Sequence, residues 1–203
     1  IINLSNKHLI LIKMTNNIVK PIIKWVGGKT QIIDKIIDKF PKEINNYYEI
    51  FLGGGSVLLA LLSSIKNGSI KLNGNIYAYD INIILISFYK NIQKEPKQLF
   101  EEISKLKEEY LSCPVNGDIN RKSTTIKEAK TSQESYYYYT RYRFNKLKDK
   151  TSVEASAIFL FLNKTCFRGV YREGPNGFNV PFGHYKKLRL CNKRTNLRSS
   201  SLN

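Results

Sequence analysis

Residues 49–56 read EIFLGGGS and directly follow the aromatic pair Tyr47–Tyr48. The pattern predicts a short strand that runs into three consecutive glycines, after which an apolar helix begins at Ser56. Glycine lacks a Cβ atom, so the backbone of such a turn can bend sharply and approach a ligand closely. An isolated strand–glycine–helix pattern is common in α/β proteins, and by itself it indicates only a candidate site for a nucleotide-like ligand.

Two further segments support a ligand site at this turn. One reads KWVGGK over residues 24–29, and the other is an acidic strand end, IYAYD, over residues 76–80. A carboxylate at the end of a strand can accept hydrogen bonds from ribose hydroxyls, which predicts a ligand role for Asp80. The alternative is that Asp80 caps the helix that begins near Asn82, and one carboxylate can do both.

The chain is strongly basic. Its 203 residues contain 33 Lys and Arg against 16 Asp and Glu, which gives a formal net charge of +17. Such an excess favours a polyanionic partner, with DNA or RNA as the first expectation. The alternative is a Lys-rich composition that reflects an AT-rich genome and carries no function. The densest basic cluster, which suits phosphate contacts, consists of Lys186, Lys187, Arg189, Lys193, Arg194 and Arg198.

The cysteines and the first residues bear on the compartment. Cys113, Cys166 and Cys191 are far apart and only two histidines are present. The sequence therefore predicts neither a metal site nor a disulfide framework, and it fits a reducing, cytoplasmic setting. The apolar run at 9–12 is too short for a signal peptide or a membrane span, so no membrane partner is expected. Residues 1–13 are interpreted as a leader before a true start at Met14.

Hydrophobic periodicity and turn residues predict an α/β order of elements. Strands are predicted at 47–51 and 76–79, and helices at 56–64, 82–94, 99–111, 134–147 and 153–162. Residues 66–75 are polar with two glycines, which predicts a loop. Residues 113–132 are polar and free of aromatic side chains, and they are interpreted as a flexible linker. The Gly- and Pro-rich residues 165–183 predict an exposed β-hairpin with loops.

The segments KWVGGK, EIFLGGGS and IYAYD, in this order, resemble the Dam-type DNA adenine-N6 methyltransferases. YYYTRYRFN at 137–145 and IFLFLNKTCFRGVYREGPNGFNVPFGHY at 158–185 are similar to a helix and to the target-recognition segment of that family. The resemblance implies S-adenosylmethionine (SAM) as the cofactor and double-stranded DNA as the partner. It also implies a Rossmann-like SAM-dependent methyltransferase fold, incomplete in this chain, over residues 14–112. A helical and β-hairpin DNA-recognition insert would occupy residues 133–203.

The resemblance also assigns roles to individual side chains. Trp25 would stack on the SAM adenine, although core packing is the usual position of a single Trp. Lys29 would pair with the SAM carboxylate, although a solvated surface position is the alternative. The cofactor-binding residues that it implies are Trp25, Lys29, Glu49, Phe51, Gly53, Gly54, Gly55, Ser56 and Asp80.

On the DNA side, the resemblance implies an aromatic wedge and a base-reading arginine. Phe167 would fill the gap left by a flipped base, and Arg172 would read guanine in the major groove. The alternative is an ordinary hairpin with an aromatic-rich core. The DNA-binding residues that the resemblance implies are Phe167, Arg172, Asn179, Tyr185 and Lys186.

One block of the resembling family is absent. Its Asp-Pro-Pro-Tyr motif holds the adenine amino group and stacks on the flipped base, whereas these 203 residues contain no Pro-Pro pair. No catalytic residue is therefore predicted here. The chain is expected to be the N-terminal portion of such an enzyme, inactive alone, with the motif lost or supplied by a separate chain.

Two alternatives to this enzyme remain. The first is a non-enzymatic DNA-binding remnant of such an enzyme, which would keep the recognition segment and the basic cluster. The second is a methyltransferase that acts on RNA or protein. The segment FNVPFG at 178–183 argues against the second alternative, because it resembles the DNA-recognition block.

Overall fold

The computed structural model describes residues 1–4, 20–185 and 190. Within these ranges the chain forms a mixed α/β fold with seven strands and seven α-helices. In chain order the elements are β1 (Ile2–Leu4), α1 (Ile33–Ile37), β2 (Glu43–Ile44), β3 (Tyr47–Glu49), α2 (Ser56–Lys66), β4 (Lys71–Leu72), β5 (Ile76–Ala78), α3 (Ile83–Lys94), α4 (Pro96–Ser112), α5 (Ile126–Ala129), α6 (Gln133–Lys146), α7 (Val153–Thr165), β6 (Glu173–Gly174) and β7 (Gly177–Phe178). No helix in these ranges is both long and apolar enough to cross a membrane.

The largest sheet has the strand order β1–β5–β3. β3 and β5 are parallel, with Tyr47 opposite Ile76 and Glu49 opposite Ala78, whereas β1 is antiparallel to β5. Because parallel strands end at the same edge of a sheet, the glycines that follow β3 and the Asp80 that follows β5 come together. Both predicted strands are confirmed, although each ends earlier than the sequence indicated.

The first residues of the chain take part in this sheet. Ile2 is buried and pairs with Ala78, within the segment 1–13 that the sequence interprets as a leader. Met14 lies outside the described residues, as do Lys186 and the rest of the basic cluster. The boundaries of the leader, the SAM-binding part, the linker and the recognition part remain predictions.

Residues 66–75 do not form a loop throughout, which corrects the expectation from their polarity. Lys71 and Leu72 form β4, which pairs in parallel with Glu43 and Ile44 of β2. Leu72 is buried, while the Lys71 ammonium lies 2.9 Å from the Glu43 carboxylate at the surface. A strand of two residues is too short to show an alternating pattern in the sequence, and its partner lies far away along the chain.

The helix starts have local causes. Asn82 caps α3 because its Oδ1 accepts the Leu85 N–H, and Ser132 and Ser152 cap α6 and α7 in the same way. Pro96 occupies the first turn of α4, where a missing N–H costs no hydrogen bond. The predicted helices at 82–94, 99–111, 134–147 and 153–162 are confirmed, with ends shifted by a few residues.

Helix α7 lies at the centre of the main core. Ten of its thirteen residues are buried, including the polar Ser156, Asn163 and Thr165, so the helix is enclosed on most sides. Phe161 makes edge-to-face contacts with Tyr110 and Tyr136, at ring-centroid distances of 5.4 and 5.8 Å. Phe159 contacts Phe88 of α3 in the same manner. The helical region thus has a dense aromatic interior.

Residues 113–132 contain a helix that the sequence did not predict. Thr125 and Glu128 form a reciprocal capping box at the start of α5, and a four-residue helix gives too little periodicity to be recognised. Hydrogen bonds attach the segment to α6, since Ser135 Oγ accepts the Asn120 N–H and donates to the Asp118 carbonyl.

The predicted hairpin after α7 is confirmed, but it is not exposed throughout, because Cys166, Phe178 and Val180 are buried. β6 and β7 pair through Glu173 opposite Phe178. Asn145, near the end of α6, accepts the Phe178 N–H and donates to the Phe178 carbonyl. This pair of bonds fixes the hairpin against α6.

Candidate functional site

The carboxyl edge of the parallel pair brings Asp80 to the glycine turn. Asp80 Oδ2 accepts the Gly53 N–H at 2.9 Å, and its Oδ1 accepts the Asn82 N–H at 2.9 Å. The carboxylate therefore connects the turn after β3 to the start of α3, and each oxygen retains a lone pair for a further donor. The sequence weighed a capping role against a ligand role for Asp80; the cap of α3 is Asn82, whose N–H Asp80 accepts, and the ligand role of Asp80 remains a prediction.

The glycines make room for two aromatic side chains. Gly53 has φ +50°, and a Cβ there would lie 3.0 Å from Trp25 Cδ1. At Gly55, φ is +72° and a Cβ would lie 2.9 Å from the Tyr89 hydroxyl, which donates to the Gly54 carbonyl at 2.7 Å. The sequence analysis expected these glycines to allow close approach of a ligand. On this side of the turn the side chains of Trp25 and Tyr89 approach the glycines instead. Tyr89 was not singled out from the sequence, because nothing marks it among the apolar residues of α3.

Trp25 lies where the turn meets the hairpin region. Its ring stacks on Tyr171 with centroids 5.8 Å apart and an angle of 24° between the planes, and it makes an edge contact with Phe159. Trp25 is half-buried, so it has the core-packing contacts that were weighed as the alternative. Stacking on an adenine remains a prediction.

Lys29 and Ser56 are neighbours. The Lys29 N–H donates to Ser56 Oγ at 3.1 Å, and the exposed Lys29 ammonium donates to the Gly27 carbonyl. Ser56 is the first residue of α2, directly after the glycines. The segment around Trp25 and the glycine turn therefore form one continuous surface.

Glu49 and Phe51 lie on either side of Ile50 at the end of β3. Burial raises the pKa of the Glu49 carboxyl to about 7, against which a hydrogen bond from the Tyr47 hydroxyl acts. Phe51 is 88% exposed and Ile81, after β5, is 98% exposed. The edge of the sheet thus combines carboxylates with exposed apolar surface, which suits a ligand that has both cationic and flat aromatic parts.

The DNA-binding candidates cluster around the hairpin. Phe167 is 50% exposed and precedes Arg168, whose φ of +55° is uncommon for a residue with a side chain. Arg172 Nε donates to Asn179 Oδ1 at 2.7 Å. The Lys24 ammonium lies over the Tyr185 ring, 4.2 Å from the ring centroid.

Asn163 is a connecting residue whose role the sequence did not reveal. Its Oδ1 accepts the Lys24 N–H, and its Nδ2 donates to the carbonyls of Lys24 and Gly169, at 2.8 to 3.0 Å. The only signal would have been an amide inside the apolar run of α7. Asn163 ties the segment before Trp25 to the turn that carries Phe167, and because it is only 2% exposed it is out of reach of a substrate amine.

Glu134 is a second connecting residue that the sequence analysis missed. Its carboxylate is only 6% exposed and lies 2.8 Å from Arg121 Nε and 3.6 Å from His184 Nε2. A charged group is rarely buried without partners, and here it holds together α6, the segment 113–132 and the end of the hairpin region.

Comparison with known proteins agrees with the motifs. Residues 25–203 match the D12 class N6 adenine-specific DNA methyltransferase family. The Type II methyltransferase M.MjaIII of Methanocaldococcus jannaschii is 38% identical over 90% of this chain and 58% of its own length. The DNA adenine methylase of Haemophilus influenzae is 31% identical over 82% of this chain and 48% of its own length.

A third relative, the Type II methyltransferase M.CviBI of Paramecium bursaria Chlorella virus NC1A, is 28% identical and is covered over 51% of its length. The chain therefore spans about half the length of the curated relatives it matches. The family resemblance drawn from the motifs is confirmed. With most of its length matched, the chain belongs to the D12 class N6 adenine-specific DNA methyltransferase family.

Proposed function

We propose that this chain carries the SAM-binding and DNA-recognition residues for methyl transfer to adenine N6 in double-stranded DNA. The observation that carries the proposal is the junction at Lys24 and Trp25. There the glycine turn, with Asp80 bonded to it, lies against Trp25, whose ring stacks on Tyr171, and the neighbouring Lys24 N–H donates to Asn163. A methyl donor and a DNA base have to meet at such a junction.

The carboxyl edge of β3 and β5 fits SAM. Asp80 would accept the ribose hydroxyls, and the half-buried Glu49 would favour a cationic group of the cofactor, because a nearby positive charge offsets the cost of ionising a buried carboxyl. Phe51 would cover an apolar part, and Lys29 would pair with the carboxylate. SAM itself supplies an activated methyl group. With these roles we also propose that the chain has a Rossmann-like domain with a DNA-recognition insert. The parallel pairing of β3 with β5 and the hairpin after α7 support this fold.

The hairpin region fits DNA. Phe167 is exposed at the tip of a strained turn, where an aromatic wedge could enter a base stack. Arg172 is held by Asn179 through Nε, which leaves its two terminal NH2 groups for a guanine edge. Tyr185 and Lys186 would contact the backbone beside this site.

Methyl transfer needs an acceptor for the adenine amino group, and the chain has no Asp-Pro-Pro-Tyr. Asn163 is only 2% exposed and Asn179 Oδ1 accepts a hydrogen bond from Arg172, so neither supports a substitute. We therefore propose that residues 1–203 do not transfer a methyl group by themselves and need an acceptor for the adenine amino group from outside this sequence. A DNA-binding remnant is the second candidate, favoured by the excess of 33 Lys and Arg over 16 Asp and Glu.

Calorimetric titration with SAM and a DNA-binding assay test the proposal together. The chain should bind SAM weakly, and Asp80→Ala should abolish that binding, whereas Asp118→Ala at the surface should not. Arg172→Ala should change sequence preference more than general affinity. Binding of DNA with no binding of SAM at any concentration would favour the remnant instead.

A further inference from the structure

A groove of about 730 Å³ lies beside the recognition hairpin. It is bounded by the second half of α6, by residues 121–124 and by the hairpin turn 175–177. None of the residues assigned to SAM or to base recognition lines it. The bidentate bond of Asn145 to Phe178 holds the turn against α6, so the groove is formed before any partner arrives.

The groove is positively charged. Five basic side chains and a single acidic one line it. The acidic residue, Glu173, accepts a hydrogen bond from the Tyr171 hydroxyl. Among the basic residues, Arg121 is paired with Glu134, while Lys122 and Lys146 form no ion pair with a carboxylate in the described part of the chain. A positive groove with two unneutralised lysines attracts a polyanion.

Aromatic and guanidinium groups complete the surface. Tyr138 and Tyr142 line the groove, with Arg141 over the ring of Tyr138 at 4.6 Å. Lysines with tyrosine hydroxyls and a guanidinium are the donors that most often contact the sugar-phosphate backbone. The groove therefore has hydrogen-bond donors for both the phosphate and the sugar of a nucleic-acid backbone.

The hairpin links this groove to the base-reading face. Arg172 is four residues from Asn176 at the turn, so the two positions are at most about 14 Å apart along the chain. At about 3.4 Å per nucleotide step, that distance corresponds to about four base pairs of duplex. A duplex contacted by Arg172 passes close to the groove.

We propose that this groove binds the phosphate backbone of double-stranded DNA immediately outside the recognised site. The proposal rests on the proposed function, because it needs duplex DNA at the hairpin. It assigns Lys122 and Lys146 to phosphate contacts that add affinity without reading sequence. The chain would then hold a longer stretch of duplex than base recognition alone requires.

The test uses the full 203-residue chain and two duplexes with the same centre, of about 6 and about 24 base pairs; the short one ends about three base pairs from its centre, before the groove, and the long one extends past the groove. Fluorescence anisotropy is measured over a range of salt concentrations. The double variant Lys122→Ala/Lys146→Ala is compared with Lys39→Ala/Lys97→Ala, which removes the same charge at exposed positions outside the groove. Thermal melts verify that both variants are folded.

On the long duplex, the groove variant should lose about 1.8 from the slope of log K against log salt, at about 0.9 per phosphate contact. On the short duplex the groove variant should have the same slope as the unaltered chain. The control variant should have the same slope as the unaltered chain on both duplexes. An equal loss on both duplexes, no loss at all, or the same loss with a linear polyphosphate would overturn the groove assignment. Failure of the unaltered chain to bind either duplex would instead overturn the proposed function, and the groove proposal with it.

Discussion

Apolar side chains are buried in the helical region but exposed at the carboxyl edge of the sheet. In α7, ten of thirteen residues are buried, and Phe161 is fully enclosed by Tyr110 and Tyr136. At the sheet edge, Phe51 and Ile81 lie in solvent. The helices share one core with the inner residues of the sheet, whereas the sheet edge presents apolar surface that a ligand or another part of a sheet can cover.

The largest expected effect tests that contrast through two phenylalanines. Phe161→Ala should lower the free energy of unfolding by about 3–5 kcal/mol, because it leaves a cavity in a packed aromatic core. Phe51→Ala should change it by less than about 0.5 kcal/mol, because the ring is exposed. Urea denaturation followed by circular dichroism measures both. Comparable losses would show that Phe51 packs in the folded chain and that the contrast is wrong.

The glycine turn provides a sharper test within the sheet region. Gly53 and Gly68 both have positive φ, but a Cβ at Gly68 meets nothing within 4 Å, whereas at Gly53 it meets Trp25. Gly68→Ala should cost about 1–2 kcal/mol from backbone strain alone. Gly53→Ala adds crowding against Trp25 and should cost about 2–4 kcal/mol. Equal destabilisation of the two variants in thermal unfolding would mean that Trp25 moves away from the new Cβ at no cost in free energy.

The junction between the two regions depends on Asn163. Asn163→Ala leaves the Gly169 carbonyl and both backbone groups of Lys24 without this partner, and should cost about 1–3 kcal/mol. It should also weaken DNA binding, because the turn that carries Phe167 loses its anchor. Asn116→Ala, at an exposed position, serves as the control. Unchanged DNA affinity in a folded Asn163→Ala variant would show that the junction does not position the turn.

The smallest effect at any one step of one pH unit concerns Glu49. Its pKa is raised from 4.5 to about 7 in the folded chain, so between these values the folded state binds more protons than the unfolded state. Stability should therefore fall as pH rises through this window, by at most about 1.4 kcal/mol per pH unit from this group. Glu49→Gln should flatten the slope, while Glu101→Gln should not. Denaturation at several pH values that gave the same slope for both variants would remove Glu49 as its source.

The sequence predicted what depends on neighbours along the chain. The helices at 82–94 and 153–162 and the strand in IYAYD were predicted from local patterns and are present. It also identified the two groups of candidate residues at the glycine turn and the hairpin. Their roles as ligand contacts remain predictions.

The rest depends on contacts between distant segments. Strand β4 exists because Leu72 pairs with Ile44, and no local pattern signals that pairing. The Asn163–Lys24 bonds join residues 139 positions apart. The Tyr89 hydroxyl bonds to the Gly54 carbonyl, and the Tyr171 ring stacks on Trp25, only once folding brings these distant segments together. Composition and periodicity contain no information of that kind.

A radiolabelled methyl-transfer assay on unmethylated duplex DNA tests the central claim most directly. It is run with the chain alone, with an added polypeptide that carries the Asp-Pro-Pro-Tyr block of a relative, and with Asp80→Ala in the complemented pair. The account predicts no transfer by the chain alone, transfer to adenine by the pair, and loss of transfer with Asp80→Ala. Clear transfer by the chain alone, or transfer that survives Asp80→Ala, would contradict it.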